Sequence, residues 1–490
     1  MTPTITAARG AEPPTRSGSA RARAPAIRFY ATVPVVAAAL LVLGGAAAWA
    51  PWPAVAAAIL LASAVLVLSR PEWLLLALVA CLPWESKLHY PSATVTVLAF
   101  SRVALPSLFV LSALLRRDRL LLPRFLAPLL AFLLLTLLSL MVSIEPGEGV
   151  VKTLRYLIFG ASLFASIQFL RNRTTLLRAI RVLAISAGGA SIYALVGFLD
   201  GQLTRAAGPV ADPNDFGDLI VFVIPLTLFL FVEDRRWRVL WGLVLTALLA
   251  ATFGSLSRGA LVGLGGLVVW GIVTRRVSAV ALLGAATLVA TIVLVALAFF
   301  GSVVKERLLG RERITSSTAA ARIVFWEAAG SMSAHHPLLG VGPERFDAER
   351  EKYLHGTPVA LESRVSSSSQ VRDLVRTAHN SYLEVAAENG IPAALAFGAF
   401  LLAIWGSLRS FIGGSAARLD DQGKRLAMTL QGALITAVLS GFFVSGELEA
   451  SFWLVGVLAG ALTATATVAL PARAHESRSR EYRSTTPSTS

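Results

Sequence analysis

Long apolar runs recur along most of the chain, and they constrain its fold more than any other feature of the sequence. A helix that crosses a bilayer core of about 30 Å needs about 20 mostly apolar residues. Only 15% of the residues are charged, whereas soluble domains carry about a quarter. The sequence therefore predicts an all-α, polytopic bundle of about 12–14 transmembrane helices, in which the short third run is a span or a re-entrant piece. The predicted spans are 31–50, 53–69, 71–84, 93–115, 122–143, 152–170, 176–199, 216–232, 237–253, 258–274, 277–300, 390–411, 425–445 and 449–469.

The lysine and arginine residues give the bundle an orientation, because positively charged loops remain in the cytoplasm. With the amino terminus inside, basic clusters such as Arg235 to Arg238 fall in loops expected to be cytoplasmic. Both termini are then cytoplasmic, and the long segment after Phe300 lies outside. Arg205 and Arg258 break the pattern, which invites a functional explanation. The short outer loops are mostly acidic or neutral, with Glu145, Glu148, Asp200, Asp212, Asp215, Asp218, Glu447 and Glu449.

These patterns divide the chain into five segments. Residues 1–30 and 471–490 are polar, low-complexity stretches expected to be disordered cytoplasmic tails. Residues 31–300 and 390–470 hold the transmembrane helices, and residues 301–389 form one large extracytoplasmic loop with short helices. The net charge of +15 does not indicate nucleic-acid binding, because the basic residues mostly lie between apolar runs. The single cysteine, Cys81, excludes an internal disulfide.

The long loop has a predicted internal layout. Thr315 to Thr318 is a run of helix N-cap residue types, so a helix is expected from Ala319 to Ala334, before Pro337. A glycine-rich turn follows at Pro337-Leu-Leu-Gly340-Val-Gly342, and the stretch from Ser366 to Ser369 is expected to be flexible. Ser381 and Glu384 have capping-box spacing, which predicts a helix over 382–389. His379 lies just ahead of that helix.

Three residues are candidates for chemistry at the outer face. Arg205 could bind an anion through its planar fork of donors, or it could simply pair with Asp200 or Asp212. Arg258 begins a span, so it indicates either a functional site or a side chain that extends to the membrane interface. His379 could accept a proton from a sugar hydroxyl, or it could be an ordinary solvated histidine.

Other motifs exclude several functions. His335 and His336 have no carboxylate or cysteine at a metal-ligand spacing, so no metal site is predicted. Gly340 and Gly342 lack the lysine and hydroxyl residue of a phosphate loop. The chain also lacks a Gly-x-Ser-x-Gly nucleophile elbow.

Five short motifs occur in a fixed order in the second half of the chain. They are Ser257-Arg258-Gly259-Ala260, Arg322 to Trp326, Pro337-Leu-Leu-Gly-Val-Gly342 with Phe346, His379-Asn-Ser-Tyr-Leu383 and Glu388-Asn-Gly390-Ile391. This ordered series resembles the bacterial O-antigen ligase and O-antigen polymerase superfamily over roughly Arg205 to Trp405. The remaining predicted spans are similar to that family in number and orientation.

The resemblance implies a function at the outer face of the bacterial inner membrane. A glycan would move from a polyprenyl diphosphate carrier to an acceptor sugar, which is the core oligosaccharide on lipid A in ligases and another lipid-linked repeat unit in polymerases. Membrane lipids surround the site, and no cofactor, metal or nucleic acid is expected. By resemblance, Arg205 and Arg258 hold the diphosphate and His379 is the base. Supporting roles fall to Arg322, Asn214, Asn380 and Glu384.

The residues leave several functions open. A base opposite the departing diphosphate predicts direct displacement and inversion at the anomeric carbon, with fixed cations stabilising the leaving group. We favour a ligase over a polymerase because the loop is single, long and ends in the histidine motif, with acceptor recognition expected within Arg345 to Arg376. A flippase of lipid-linked sugars would need ionisable residues buried in several spans, and the sequence has few. A scaffold would tolerate loss of Arg258 and His379. The loop is expected to be a lid.

Overall fold

The computed structural model describes eleven stretches of the chain. They are residues 72–84, 106–107, 109–110, 120–143, 145–201, 205–210, 212–274, 312–353, 377–414, 420–445 and 450–464. This described part contains 13 α-helices and no strand. The prediction of an all-α fold is confirmed.

The helices divide into two groups, those before the long loop and those within and after it. Those before it are α1 (Glu72–Cys81), α2 (Leu126–Val142), α3 (Pro146–Phe169), α4 (Arg173–Leu199), α5 (Pro213–Glu233), α6 (Arg238–Gly254, preceded by a short 3-10 turn at Arg235–Trp237) and α7 (Arg258–Val273). Those within and after it are α8 (Glu312–His335), α9 (Phe346–Glu349, followed by a 3-10 turn at Arg350–Tyr353), α10 (Ser381–Asn389), α11 (Ile391–Gly413), α12 (Asp421–Ser440) and α13 (Ala450–Ala464).

Five of the described helices are long and apolar enough to cross a membrane: α3, α4, α5, α6 with its preceding turn, and α11. Four shorter apolar helices, α1, α2, α7 and α13, accompany them. Each of these corresponds to a predicted span, so the polytopic helical bundle is confirmed and the chain is a membrane protein. The predicted spans 31–50, 53–69 and 277–300, and nearly all of 93–115, lie outside the described residues, as do both predicted tails and Ser366 to Ser369.

Side-chain caps determine where several helices begin. The first turn of a helix has backbone N–H groups without partners, and short polar side chains can accept from them. Asn172 accepts from Thr175 N at 2.7 Å at the start of α4. Asp212 and Ser257 cap α5 and α7 in the same way. Two of these caps, Asp212 and Ser257, therefore fix the backbone next to candidate residues.

The helix α5 lies at the centre of the described bundle. It packs against α4, α6, α7 and α12, and residues on all its faces are buried, including Phe222 at 0% exposure. The peripheral helices instead expose large apolar side chains, such as Ile192 of α4 and Leu402 of α11. Exposed apolar faces of this kind suit contact with lipid. Among the described residues, the candidates Arg205, Arg258 and His379 lie at helix ends or in loops, away from these apolar faces.

The structure corrects two details of the predicted loop. The helix α8 begins at Glu312, so the Thr315 to Thr318 run lies inside it and does not cap it. Helix propensity is a weak preference that tertiary packing overrides, and α8 packs along α10. The helix predicted over 382–389 is α10, but Asn380 caps it, so the predicted capping box of Ser381 and Glu384 is wrong.

Candidate functional site

Arg205 lies in the loop between α4 and α5 and ties that loop to two helix ends. Its Nε donates to Ser255 O at 2.7 Å, and its terminal nitrogen donates to Asn214 Oδ1 at 2.9 Å. The neighbouring Ala206 N donates to Gly254 O at 2.9 Å. Arg205 therefore donates a hydrogen bond to a backbone carbonyl at the carboxyl end of α6 and orients Asn214 at the start of α5. These bonds fix the Arg205 guanidinium beside the turn that carries Arg258.

Arg258 is the first residue of α7, and its side chain is exposed. The turn before it is tight, since Leu256 has a φ of 51° and Ser257 Oγ accepts from Ala260 N at 3.4 Å. The next residue, Gly259, has no side chain because a β-carbon would come within 2.9 Å of Phe443 Cβ. The α7 start is thus packed against residues 441–444, the turn that follows α12.

Arg322 on α8 belongs to the same electrostatic cluster. Burial lowers the pKa of its guanidinium, the positive charge of Arg258 lowers it further, and Asp212 acts in the opposite direction. Its Nε is buried and has no hydrogen-bond partner among the described residues. A buried guanidinium beside a second cation is costly unless an anion offsets both. One turn further along α8, the Trp326 ring packs against the Phe443 ring, with 6.3 Å between the ring centroids.

The segment before α10 brings His379 to this same turn. His379 has a φ of 49°, a left-handed conformation that is strained for a residue with a side chain. Directly after it, Asn380 Oδ1 accepts from Tyr382 N at 3.1 Å and from Leu383 N at 3.0 Å. Ser381 N then donates to the carbonyls of Gly441 and Val444 at 2.9 Å each. The His379 segment and the Arg258 turn therefore rest on one four-residue stretch, 441–444.

Asp218 differs from its sequence assignment. The acidic pattern placed it in an outer loop, but it lies in the second turn of α5 and is 4% exposed. Ser451 Oγ donates to its carboxylate at 2.6 Å. Burial of the Tyr382 phenol raises its pKa, and the negative charge of Asp218 raises it further. The phenol therefore stays neutral and donates to Val438 O at 2.8 Å. Asp218 therefore links α5 to α13 and acts electrostatically on Tyr382 in the first turn of α10.

The glycine-rich turn after α8 holds the other end of α10. Val341 N and Gly342 N each donate at 2.9 Å to the last carbonyls of α10, Ala387 O and Glu388 O. Gly340 has a φ of 66°, and a β-carbon there would overlap the Glu388 carbonyl. The Pro337-to-Gly342 motif and the Glu388-Asn-Gly390 motif are therefore two sides of one contact.

A buried ion cluster fastens α10 to α3. Lys152 Nζ lies 2.8 Å from Glu384 Oε1 and 2.7 Å from Glu388 Oε2. Burial alone would raise the pKa of Glu384, but the charge and hydrogen bond of Lys152, with further hydrogen bonds, hold it below its ordinary value. The second oxygen of Glu384 accepts from Ala378 N at 3.1 Å. Phe346 N donates to Glu388 Oε1 at 3.2 Å.

Arg345 and the paired histidines have structural partners in the described part of the loop. The Arg345 guanidinium is buried and donates to Glu145 and to Glu349. His336 Nε2 lies 2.8 Å from the Tyr353 hydroxyl, and His335 Nδ1 lies 2.8 Å from Ser331 O. No group of three metal-ligand residues occurs within the described residues. The rest of the predicted acceptor region, from 354 to 376, lies outside them.

Taken together, these contacts define a polytopic membrane protein in which cationic side chains, a histidine and a capped helix meet at one set of helix ends. Residues 242–398, about a third of the chain, match the family model described as O-antigen ligase, and this match supports membership of that family. The match includes Arg258, Arg322 and His379 but begins after Arg205, which had been expected within the homology region. No curated protein matches the chain.

Lys152 is the residue that the sequence analysis missed. It begins a predicted span on the side where only Arg205 and Arg258 had been counted as exceptions to the charge rule. That same rule marks it as a third exception. Its acidic partners, by contrast, lie 232 and 236 positions away in the sequence, so its pairing was not predictable from any local pattern.

Proposed function

We propose that this protein transfers a glycan from a polyprenyl diphosphate carrier to a hydroxyl of an acceptor sugar, at the outer face of the bacterial inner membrane. The match of residues 242–398 to the O-antigen ligase family model supports a lipid-linked glycan donor in general. The observation that carries the proposal is the buried, unpartnered Nε of Arg322 beside the positive charge of Arg258. This arrangement favours a multiply charged anion, and the leaving group of such a donor is a diphosphate.

In this proposal Arg205 and Arg258 bind the diphosphate and Arg322 supports them. Asn214 fixes the direction of the Arg205 guanidinium through their 2.9 Å hydrogen bond. As the glycosyl bond breaks, negative charge grows on the diphosphate, and fixed guanidinium groups stabilise that charge without reorganising. The reaction would then need no metal to neutralise the leaving group.

His379 is the proposed base that takes the proton from the acceptor hydroxyl. It lies directly before Asn380, the residue that caps the amino end of α10. Asn380 and Glu384 support it by fixing the backbone on either side, at Tyr382 N and at Ala378 N. A base on one face of the sugar and a diphosphate on the other predicts inversion at the anomeric carbon.

The experiment compares purified variants in a transfer assay with a polyprenyl-diphosphate-linked glycan. His379→Ala should lower kcat by about 10²–10⁴-fold, the range for loss of a general base. Arg322→Gln should reduce kcat/KM by about 10- to 100-fold, because it removes charge-assisted hydrogen bonds. His336→Ala is the matched control, since its ring bonds to Tyr353 on the same loop. Normal transfer by His379→Ala would exclude the catalytic assignment.

A deletion strain distinguishes the two family activities. A ligase predicts that long chains disappear from the acceptor while lipid-linked polymer accumulates. A polymerase predicts single repeat units on the acceptor instead. We propose the ligase, because the described loop ends in a single segment that carries His379. Residues 441–444 connect this segment to the turn that carries Arg258. Carrier retained on the cytoplasmic side would indicate a flippase.

A further inference from the structure

Lys152 is a buried cation on a membrane-spanning helix and is not among the residues proposed to bind the diphosphate or to act as the base. Its side chain is 8% exposed, and those of Glu384 and Glu388 are 3% and 2% exposed. A buried charge is expensive unless it is paired and hydrogen-bonded. Because the two glutamates lie one helical turn apart on α10, a single lysine bridges both and offsets their mutual repulsion.

The bridge continues to the residue next to His379. Glu384 uses Oε1 for Lys152, at 2.8 Å, and Oε2 for the backbone N–H of Ala378, at 3.1 Å. One carboxylate group therefore connects α3 with the segment that carries the imidazole. A charged acceptor forms a stronger hydrogen bond than a neutral one. Lys152 keeps that acceptor ionised despite its burial.

The backbone of His379 makes this connection important. A left-handed conformation costs a residue with a β-carbon about 1–2 kcal/mol, and His379 has a φ of 49°. Such a conformation persists only where the surroundings impose it. The Asn380 cap constrains the backbone after His379, and the Ala378 hydrogen bond to Glu384 constrains the backbone before it. Weakening the second would loosen the backbone that carries the imidazole.

We propose that Lys152 is a positioning residue for proton transfer by His379 and acts through the carboxylate of Glu384. The inference rests on the proposed function, because it needs His379 as the base. It differs from a purely structural ion pair, which would hold α3 against α10 without affecting the turnover of folded protein.

The test is a double-mutant cycle on purified protein in the same transfer assay. Lys152→Met should lower kcat by about tenfold to a hundredfold, the cost of misplacing a catalytic group by about 1 Å, with donor KM changed by less than about threefold. Glu384→Gln should produce a similar loss. If Lys152 acts through Glu384, adding Lys152→Met to Glu384→Gln should cost less than about twofold more.

Controls separate this result from misfolding and from failure of the proposed function. Arg155→Met removes an exposed cation one turn along α3 and should leave kcat unchanged. Melting of each variant in detergent reports the folded fraction, and Lys152→Gln replaces Lys152→Met if the latter does not accumulate. Unchanged kcat per folded protein, multiplicative losses in the cycle, or a rise in KM alone would overturn the role of Lys152. Activity of His379→Ala would instead overturn the assignment of the base.

Discussion

Removing the Asn380 side chain should loosen the start of α10 and slow glycan transfer together. Asn380 is 3% exposed, and its Oδ1 accepts from two backbone N–H groups, Tyr382 at 3.1 Å and Leu383 at 3.0 Å. Loss of an N-cap costs about 0.5–2 kcal/mol. We expect the upper end, because water cannot readily replace a buried acceptor. A change of about 2 kcal/mol is about a 30-fold change in an opening equilibrium.

Hydrogen exchange measured by mass spectrometry checks this magnitude. In Asn380→Ala, peptides that span 378–390 should exchange faster, with protection reduced by about 5- to 30-fold. The transfer rate should fall as well, since the cap follows His379 directly. Asn380→Ser keeps a side-chain oxygen and should restore most of the protection.

The matched control is a cap elsewhere in the bundle. Asn172 caps α4 through Thr175 N at 2.7 Å, but its side chain is exposed, so Asn172→Ala should lose less local protection than Asn380→Ala and should not slow transfer. Equal protection in Asn380→Ala and the parent protein would refute the reasoning. An equal loss of transfer in the Asn172 variant would also refute it, because the effect would then not be specific to the His379 segment.

Two further predictions concern the loop. Gly390 has a φ of 88°, and a β-carbon there would overlap the Leu338 carbonyl, so Gly390→Ala should lower the melting temperature. Gly147 has open space around it, so Gly147→Ala should leave the melting temperature unchanged. Burial alone would raise the pKa of Glu349, but hydrogen bonds from Lys352 and Arg345 hold it below the ordinary 4.5. A depressed carboxyl pKa stabilises the fold above the unfolded value and loses its effect as pH falls through the folded value. Hydrogen-exchange protection of residues 346–353 should therefore persist in mild acid and begin to weaken only as the pH falls below 4.5.

Hydropathy and charge located the helices because a bilayer imposes length and composition on each span. The span predicted at 258–274 is α7, Arg258–Val273. Helix ends were less predictable, since a cap depends on one side chain reaching one amide. Asn380 and Ser381 are both suitable cap residues, and only the backbone direction decides between them. The Ser381 hydroxyl instead donates to Val444 O at 2.8 Å.

The candidate site was predictable as a set of residues and not as a set of contacts. Arg258, Arg322 and His379 each belong to a motif that can be read locally. Their association depends on residues 441–444, which carry no recognisable motif and provide backbone carbonyls and the Phe443 ring. Backbone acceptors leave no trace in residue type, so this part of the arrangement could only be seen in the fold.

The contacts also change the expected behaviour of the long loop. As a lid it would lift from the bundle, but its described part is fastened to α2 and α3. Ser139 Oγ of α2 lies within 2.6 Å of Leu339 O and 2.9 Å of Glu388 O, and Lys152 of α3 pairs with both buried glutamates. Breaking a buried ion pair costs about 3–5 kcal/mol. The glycine-rich turn and α10, with α8 packed along α10, therefore stay attached to the bundle, and this described part of the loop does not behave as a lid.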